Sequence, residues 1–389
     1  MAASDGTVPP LPPQDRVVSL DVLRGFDMFW ILGAEELFSA IRKTNEASFV
    51  QKFCDQLEHV EWAGYHFLDL IFPTFVFIAG ASLVFSLSKA IGASGQGAAV
   101  RRILFRGVTL YLLGLLYYGG AANVWPKIRL VGVLQRIAIC YTVAGLLFIY
   151  LKPRTLAIIT VSILLLYWGL MALVPVPGGG RGNYAEFKNL ANYVDSVALP
   201  GRRWDKGDHD PEGLLSTLPA IATCLLGVFA GLLLRNGNVA PWKKSAILIL
   251  AGAASVALGM AWGGMLPSNP HLSFLIPLKF PVIKKIWTSS YVLVAGGYSA
   301  AALGAFYLVI DIWKIRFWTK PFLWIGMNAI TLYMLHALFD FEKLAGRFVG
   351  GNVGHWLGRY GAVAKSGLAV VLVLMLGRFL YRRSIFLRI

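Results

Sequence analysis

Long apolar runs separated by short charged loops recur from one end of the chain to the other. A run of ~20 apolar residues is long enough to cross the hydrocarbon core of a bilayer as a helix. The pattern predicts about ten such helices, near 20–40, 66–88, 103–120, 131–151, 155–174, 215–234, 245–265, 288–310, 321–339 and 366–381. The fold class expected is therefore all-α, a polytopic integral membrane protein. Residues 1–15 are Pro-rich and lack a basic stretch followed by an apolar core. They read as a disordered cytosolic leader and not a signal peptide, with 16–389 forming a single transmembrane domain.

Composition agrees with the pattern. Hydrophobic residues make up 57% and charged residues 14%, where a soluble chain carries ~25% charged. Charge placement adds sidedness. Lys89, Arg101, Arg102, Arg106, Lys152, Arg154, Arg235, Lys243, Lys244, Lys314, Arg316, Lys320, Arg382, Arg383 and Arg388 all fall on the short loops of one face. Only Asp311 interrupts them, so this face is expected to be cytoplasmic. An even span count then puts both termini inside. The longer loops at 41–65, 175–214, 266–287 and 340–364 face outward. The net charge of +16 reads as topology and contact with anionic lipid. Nucleic acid is not an expected partner, because no basic segment is interleaved with exposed aromatics outside the spans. Cys54, Cys140 and Cys224 are scattered, which suggests neither a disulfide framework nor a zinc site, and no metal is expected. The chain has no Walker A loop or dinucleotide-type glycine loop. Its 41 glycines are spread through the spans, where small residues allow close helix packing.

Ionisable groups inside or beside these spans are costly and usually have a purpose. The first span, SLDVLRGFDMFWILGAEELF, carries five of them. Helical steps of three or four would put Asp21, Arg24, Asp27 and Glu35 on one face. Arg24 then either neutralises Asp21 and Asp27 or serves a ligand. The densest cluster is EHVEWAGYHFLDLIFP at residues 58–73. Here His59 and Trp62 precede Asp69, which is placed either to cap the next helix or to orient the histidine. An imidazole titrates near ~6.5 in water, so it can take and return a proton at neutral pH. Gln135 and Arg136 lie near the outer end of the fourth span. Asn328 and His336, eight residues apart, would share a face of the ninth, as interhelical hydrogen bonds or as substrate contacts. Asp210 and Glu212 stand just before the sixth span. His66, His209, His271 and His355 have no comparable context and are expected at the surface or interface.

Together these motifs resemble the transmembrane acyltransferase family of the heparan-α-glucosaminide N-acetyltransferases, over residues 16 to 340. The family's Ser-[LV]-Asp-x-x-Arg-Gly opening corresponds to Ser19, Leu20, Asp21, Arg24 and Gly25. Its His-x-x-Trp-x-Gly block corresponds to His59, Trp62 and Gly64, followed by Asp69, Leu70, Ile71, Phe72 and Pro73. Gly132 through Arg136 match Gly-Val-Leu-Gln-Arg, and Asp210, Pro211, Glu212, Gly213 and Thr217 match the next block. Lys284 and Trp287 fit the following one, and Gly326, Met327, Asn328, Tyr333 and His336 the last. Six blocks in order at compatible spacing make the resemblance specific.

The resemblance implies transfer of an acetyl group from cytosolic acetyl-CoA, the acyl donor, to a glucosamine-like saccharide across the membrane. His59 falls on the family's catalytic histidine. It would act as general base or carry the acetyl group itself, and the sequence leaves both open. Asp69 would support it, with Glu35 as a further catalytic carboxylate. Arg24, Gln135, Arg136 and Lys284 are the expected CoA contacts, and Trp62, Asp210, Glu212, Asn328 and His336 the expected substrate contacts. One departure concerns Glu35. Counted from Arg24-Gly25, it stands where N-acetylating members carry asparagine, so N- and O-acetylation both stay open. The expectation is a bacterial relative without the extra luminal region of the lysosomal enzyme, in the inner membrane, with His59 on the periplasmic or outer face. Expected partners are acetyl-CoA, a saccharide, the lipid bilayer and a second copy of the chain in a homodimer. The rival reading is a proton-coupled sugar or metabolite transporter, with the membrane carboxylates and His336 as its relay.

Overall fold

The computed structural model describes residues 17–204, 209–265 and 279–387. The leader, His271 and Arg388 lie outside them. In chain order the longer helices are α1 (Val18–Phe29), α2 (Glu35–Thr44), α3 (Ser48–Asp55), α4 (Ile71–Tyr117) and α5 (Val133–Tyr150). Next come α6 (Pro153–Leu173), α7 (Leu190–Ala198), α8 (Thr217–Arg235), α9 (Pro241–Trp262) and α10 (Ser289–Phe306). The chain ends with α11 (Lys320–Met327), α12 (Ala329–Leu338), α13 (Phe341–Val349), α14 (Gly351–Leu357) and α15 (Gly361–Arg382). Proline opens α6 and α9 at their first position, where its missing amide N–H costs no helical bond.

Among the described residues, seven helical segments are long and apolar enough to cross a membrane, or up to eight if α11 and α12 count as one bent span. The expectation was about ten, and the difference has local causes. At 47 residues, α4 is far longer than one ~30 Å crossing requires, and it breaks at Gly95, where φ is 79° and ψ 177°. Its two arms coincide with the spans expected near 66–88 and 103–120. The first expected span is also interrupted. Trp30–Ala34 forms a π-helical turn in which Gly33 adopts φ 123°, a conformation that favours glycine. The single face proposed for Asp21 through Glu35 therefore ends before Glu35. A third break lies at Asn328, where α11 and α12 meet at 77°. The Asn328 amide donates to the Trp324 carbonyl at 3.3 Å and so competes with the helical ladder. The shared face expected for Asn328 and His336 is lost with it.

The chain divides into two compact units, one formed by residues up to Cys54 and from Phe306 onward, the other by Asp55–Ala305. In the first, α1 packs on α11 through glycine: a Cβ on Gly25 would overlap the Phe322 carbonyl. Asp311, the one acidic residue on the basic face, accepts hydrogen bonds from the amides of Val18 and Ser19 at 3.3 and 3.0 Å. It satisfies the open end of α1, where a carboxylate also complements the helix dipole. In the second unit, α4 packs on α5 and α8. Gly80 of α4 and Gly227 of α8 each press on a carbonyl of the other helix, so neither position has room for a Cβ.

Candidate active site

Asp69 organises the site in the second unit. It lies in a short 3-10 turn, Phe67–Leu70, that leads into α4, and its side chain is 2% exposed. Its Oδ2 accepts from the amides of His66 and Val60 at 2.9 and 3.2 Å. Its Oδ1 lies 2.7 Å from His59 Nδ1 and accepts from Lys284 Nζ at 3.1 Å. Asp69 thus partners the histidine through Oδ1, while its Oδ2 closes the start of the 3-10 turn and α4 itself begins without a side-chain cap. His59 is 52% exposed, so its far nitrogen is open to a substrate while the near one is held. A carboxylate on Nδ1 fixes that nitrogen as the protonated one and leaves Nε2 as a proton acceptor.

Lys284 is delivered from the other side of the site by residues 279–288. Gly64 N donates to the Val282 carbonyl at 2.8 Å, and Ala63 and Ile283 form an isolated antiparallel bridge. Ile283 and Ile286 are buried with Tyr167, Met171, Leu190 and Phe280. Apolar residues on either side of Lys284 thus anchor the backbone and turn its ammonium toward Asp69. Tyr291 donates to the Asp69 carbonyl at 2.6 Å, tying the start of α10 to the same turn. Trp62 is held nearby: its Nε1 donates to the Tyr184 carbonyl at 2.9 Å, and its ring stands edge-on to His209, 6.2 Å away. His209 was expected at the surface, but it is fully buried between Trp62 and Phe187.

Asp210 and Glu212 are committed elsewhere. Arg129 donates to both oxygens of Asp210, at 2.8 and 2.6 Å, and to Glu212 at 2.6 Å. Its guanidinium lies 4.4 Å from the Tyr118 ring centre and 4.8 Å from that of Trp204. Burial opposes the Arg129 charge, but the two carboxylates outweigh it and hold the group above the ordinary arginine range. Beneath the clamp, burial pushes Asp195 up to about 6, against the amides of Leu214 and Asp210 that donate to it. Arg136 is 1% exposed, lies 4.8 Å from the Trp287 ring centre, and donates to Ser216 Oγ at 2.5 Å. Among the described residues, its Nε and Nη1 and the whole Gln135 amide are buried without hydrogen-bond partners. Trp287 itself holds an unusual φ of 50° and donates to Thr223 at 3.1 Å.

The remaining candidates belong to the first unit. Arg24 pairs with Asp21 at 3.1 Å. Asp27 is buried, and among the described residues its Oδ2 has no hydrogen-bond partner. Glu35 occupies the first turn of α2. His336 stacks on Phe341 and lines a cavity of about 290 Å³ with Glu36, Glu342 and Ser366. Among the described residues no group of three or more His, Cys, Asp or Glu side chains is placed to hold a metal.

Sequence reasoning missed Arg129, Asp195 and Tyr291. Each is an ordinary residue in its local context, and its partner lies 81, 19 and 222 positions away.

Residues 16–261 match the family model described as heparan-alpha-glucosaminide N-acetyltransferase, catalytic. The human heparan-alpha-glucosaminide N-acetyltransferase is 30% identical over 335 residues, covering 73% of this chain and 49% of the relative. The mouse protein is 27% identical over 337 residues, with the same coverages of 73% and 49%. The chain spans about half the length of these relatives. The family match covers most of the chain, including the His59–Asp69 pair, and this protein therefore belongs to the heparan-alpha-glucosaminide N-acetyltransferase catalytic family.

Proposed function

We propose that this protein is a multipass membrane acetyltransferase that moves the acetyl group of cytosolic acetyl-CoA to an amine or hydroxyl of a glucosamine-like saccharide on the outer face. The observation that carries this is the pair of half-exposed His59 and buried Asp69, 2.7 Å apart, in a chain of this family. In the reaction, His59 Nε2 removes a proton from the acceptor as its nitrogen or oxygen attacks the thioester carbonyl. The new C–N or C–O bond forms, the C–S bond breaks, and the proton passes from Nε2 to the departing thiolate. Asp69 keeps Nδ1 protonated and stabilises the imidazolium formed between the two steps.

The proposed topology has ten spans and both termini in the cytoplasm. It counts the two arms of α4 separately, and α1–α2 and α11–α12 as one span each. Charge placement supports it, and so do contacts between loops assigned to the outer face. Trp62 reaches Tyr184, Gly64 reaches Val282, Lys285 pairs with Glu186 at 3.3 Å, and Arg129 reaches Asp210. Glu35 is proposed to mark an acceptor other than the one that asparagine-bearing members use.

The test is acetyl-CoA binding by the purified protein in detergent, followed by transfer to glucosamine, with His59→Ala alongside. Binding by both and transfer by the wild type alone is expected. Failure to bind acetyl-CoA, or sugar transport in proteoliposomes without CoA, would overturn the reading.

A further inference from the structure

The triangle at Asp69 contains a feature that an unaided histidine–carboxylate pair does not. Lys284 Nζ lies 3.1 Å from Asp69 Oδ1 and also 3.0 Å from His59 Nδ1. An ammonium can only donate, and Nδ1 bonded to Asp69 is itself a donor. The two donors therefore share one acceptor, Oδ1, which has two lone pairs to offer, while Oδ2 is filled by the His66 and Val60 amides. This packing is comfortable while the ring is neutral. Once the ring is protonated it sets a second positive charge beside the ammonium.

We propose that Lys284 is a positioning residue that keeps His59 in its neutral, proton-accepting form with the proton on Nδ1. It does so by holding a fixed positive charge at the nitrogen that faces Asp69. Without Lys284, buried Asp69 would carry one unbalanced charge and would draw a second proton onto the ring. With Lys284, Asp69 is already balanced and serves to orient the ring. The same charge urges the imidazolium formed during transfer to give its proton to the leaving thiolate, so the base is regenerated each turnover.

The groups around His59 support this division of labour. On its own segment Glu58 and Glu61 are exposed and screened by water. From the α4 entrance come Asp69 and His66, whose Nδ1 is occupied by the Glu58 carbonyl at 2.9 Å. From residues 279–288, Lys284 faces the ring, while Lys285 turns to the Trp62 ring, 5.9 Å away, and to Glu186. Lys284 is thus the cation set against Nδ1, with its segment fixed by the buried Ile283 and Ile286 on either side.

The role in catalysis rests on the acetyl-transfer reading, but the effect on the ring can be read without activity. Histidine-labelled protein in detergent micelles would be titrated by NMR as wild type, Lys284→Met and Lys284→Arg, with His59→Ala to assign the signal. A unit charge at ~3 Å in a water-like dielectric is worth about one pH unit of titration. The Met variant is expected to titrate about one unit higher than wild type, and the Arg variant to stay near wild type. The acid limb of the transfer rate should move with it. An unchanged titration in Lys284→Met would overturn the inference. A shifted titration in a protein that binds no acetyl-CoA would uphold it and overturn the acetyl-transfer reading instead.

Discussion

Two carboxylates in the second unit carry opposite duties, and each has its own measurable signature. In the proposed reaction Asp69 works as the carboxylate: both its oxygens accept from donors, and one of these is the ring it would orient. Asp69→Asn would place an amide donor against Nδ1 and favour the wrong tautomer, so transfer should fall by about 10²–10⁴ with acetyl-CoA binding retained. Steady-state rates beside a CoA binding isotherm would check this, and a parallel loss of binding would count against it. Asp195 is structural. It is 1% exposed and titrates at about 6 in the fold, above its ordinary value near 3.8. A carboxyl raised on folding contributes stability that is present below the unfolded value and lost as pH rises through 6. Lowering the pH from 7 to 5 should therefore add about 1 kcal/mol through Asp195 alone. The melting temperature of wild type should gain on that of Asp195→Asn over the same interval, and equal slopes would exclude the effect. The first of these residues was legible in the sequence because histidine and aspartate lie ten positions apart in one dense cluster. The second was not, because what makes Asp195 unusual is burial under Gly213 and Leu214, and nothing in its own neighbourhood announces that.

Helices were legible where apolar length alone decides them, as in α5, α6, α8 and α9. They were misread where a single residue breaks the ladder. Gly33 and Asn328 interrupt runs whose hydrophobicity is continuous, and hydropathy is blind to φ, whereas the Gly95 break falls in the polar stretch between two expected spans. These breaks have consequences for the candidates, since periodicity arguments that joined Asp21 to Glu35, and Asn328 to His336, assumed straight helices. Helix ends were misread for a related reason. Asp311 looked like an exception to a basic loop, whereas its carboxylate closes the start of α1 almost 300 residues earlier in the chain. Asp311→Ala should cost about 1–2 kcal/mol through two lost charge-assisted bonds and the lost dipole contact. A chaotrope or thermal melt of the detergent-solubilised protein would measure it. Asp311→Asn should recover part of the loss, because the amide oxygen can still accept from one helical N–H.

At the scale of the whole molecule, sidedness is the claim with the widest reach, because the direction of the proposed acetyl transfer depends on it. The charge pattern assigns the loops at 41–65, 175–214 and 266–287 to one face. Within the second unit those loops do meet, through Trp62 and Tyr184, Gly64 and Val282, and Lys285 and Glu186. Loops that meet at one end of a bundle fit one side of a bilayer, so these contacts support the proposed topology. In the proposed topology the Gly95 break belongs to the opposite face, with Lys89, Arg101 and Arg102 around it. Absolute orientation follows from scanning with an impermeant thiol reagent, for which the protein is well suited, since Cys54, Cys140 and Cys224 are all buried. Glu61→Cys, beside His59, should be labelled in intact cells. Gly97→Cys, where a side chain meets open space, should be labelled only after the membrane is opened. The reverse pattern would put His59 on the same side as cytosolic acetyl-CoA and remove the need for the acetyl group to cross at all.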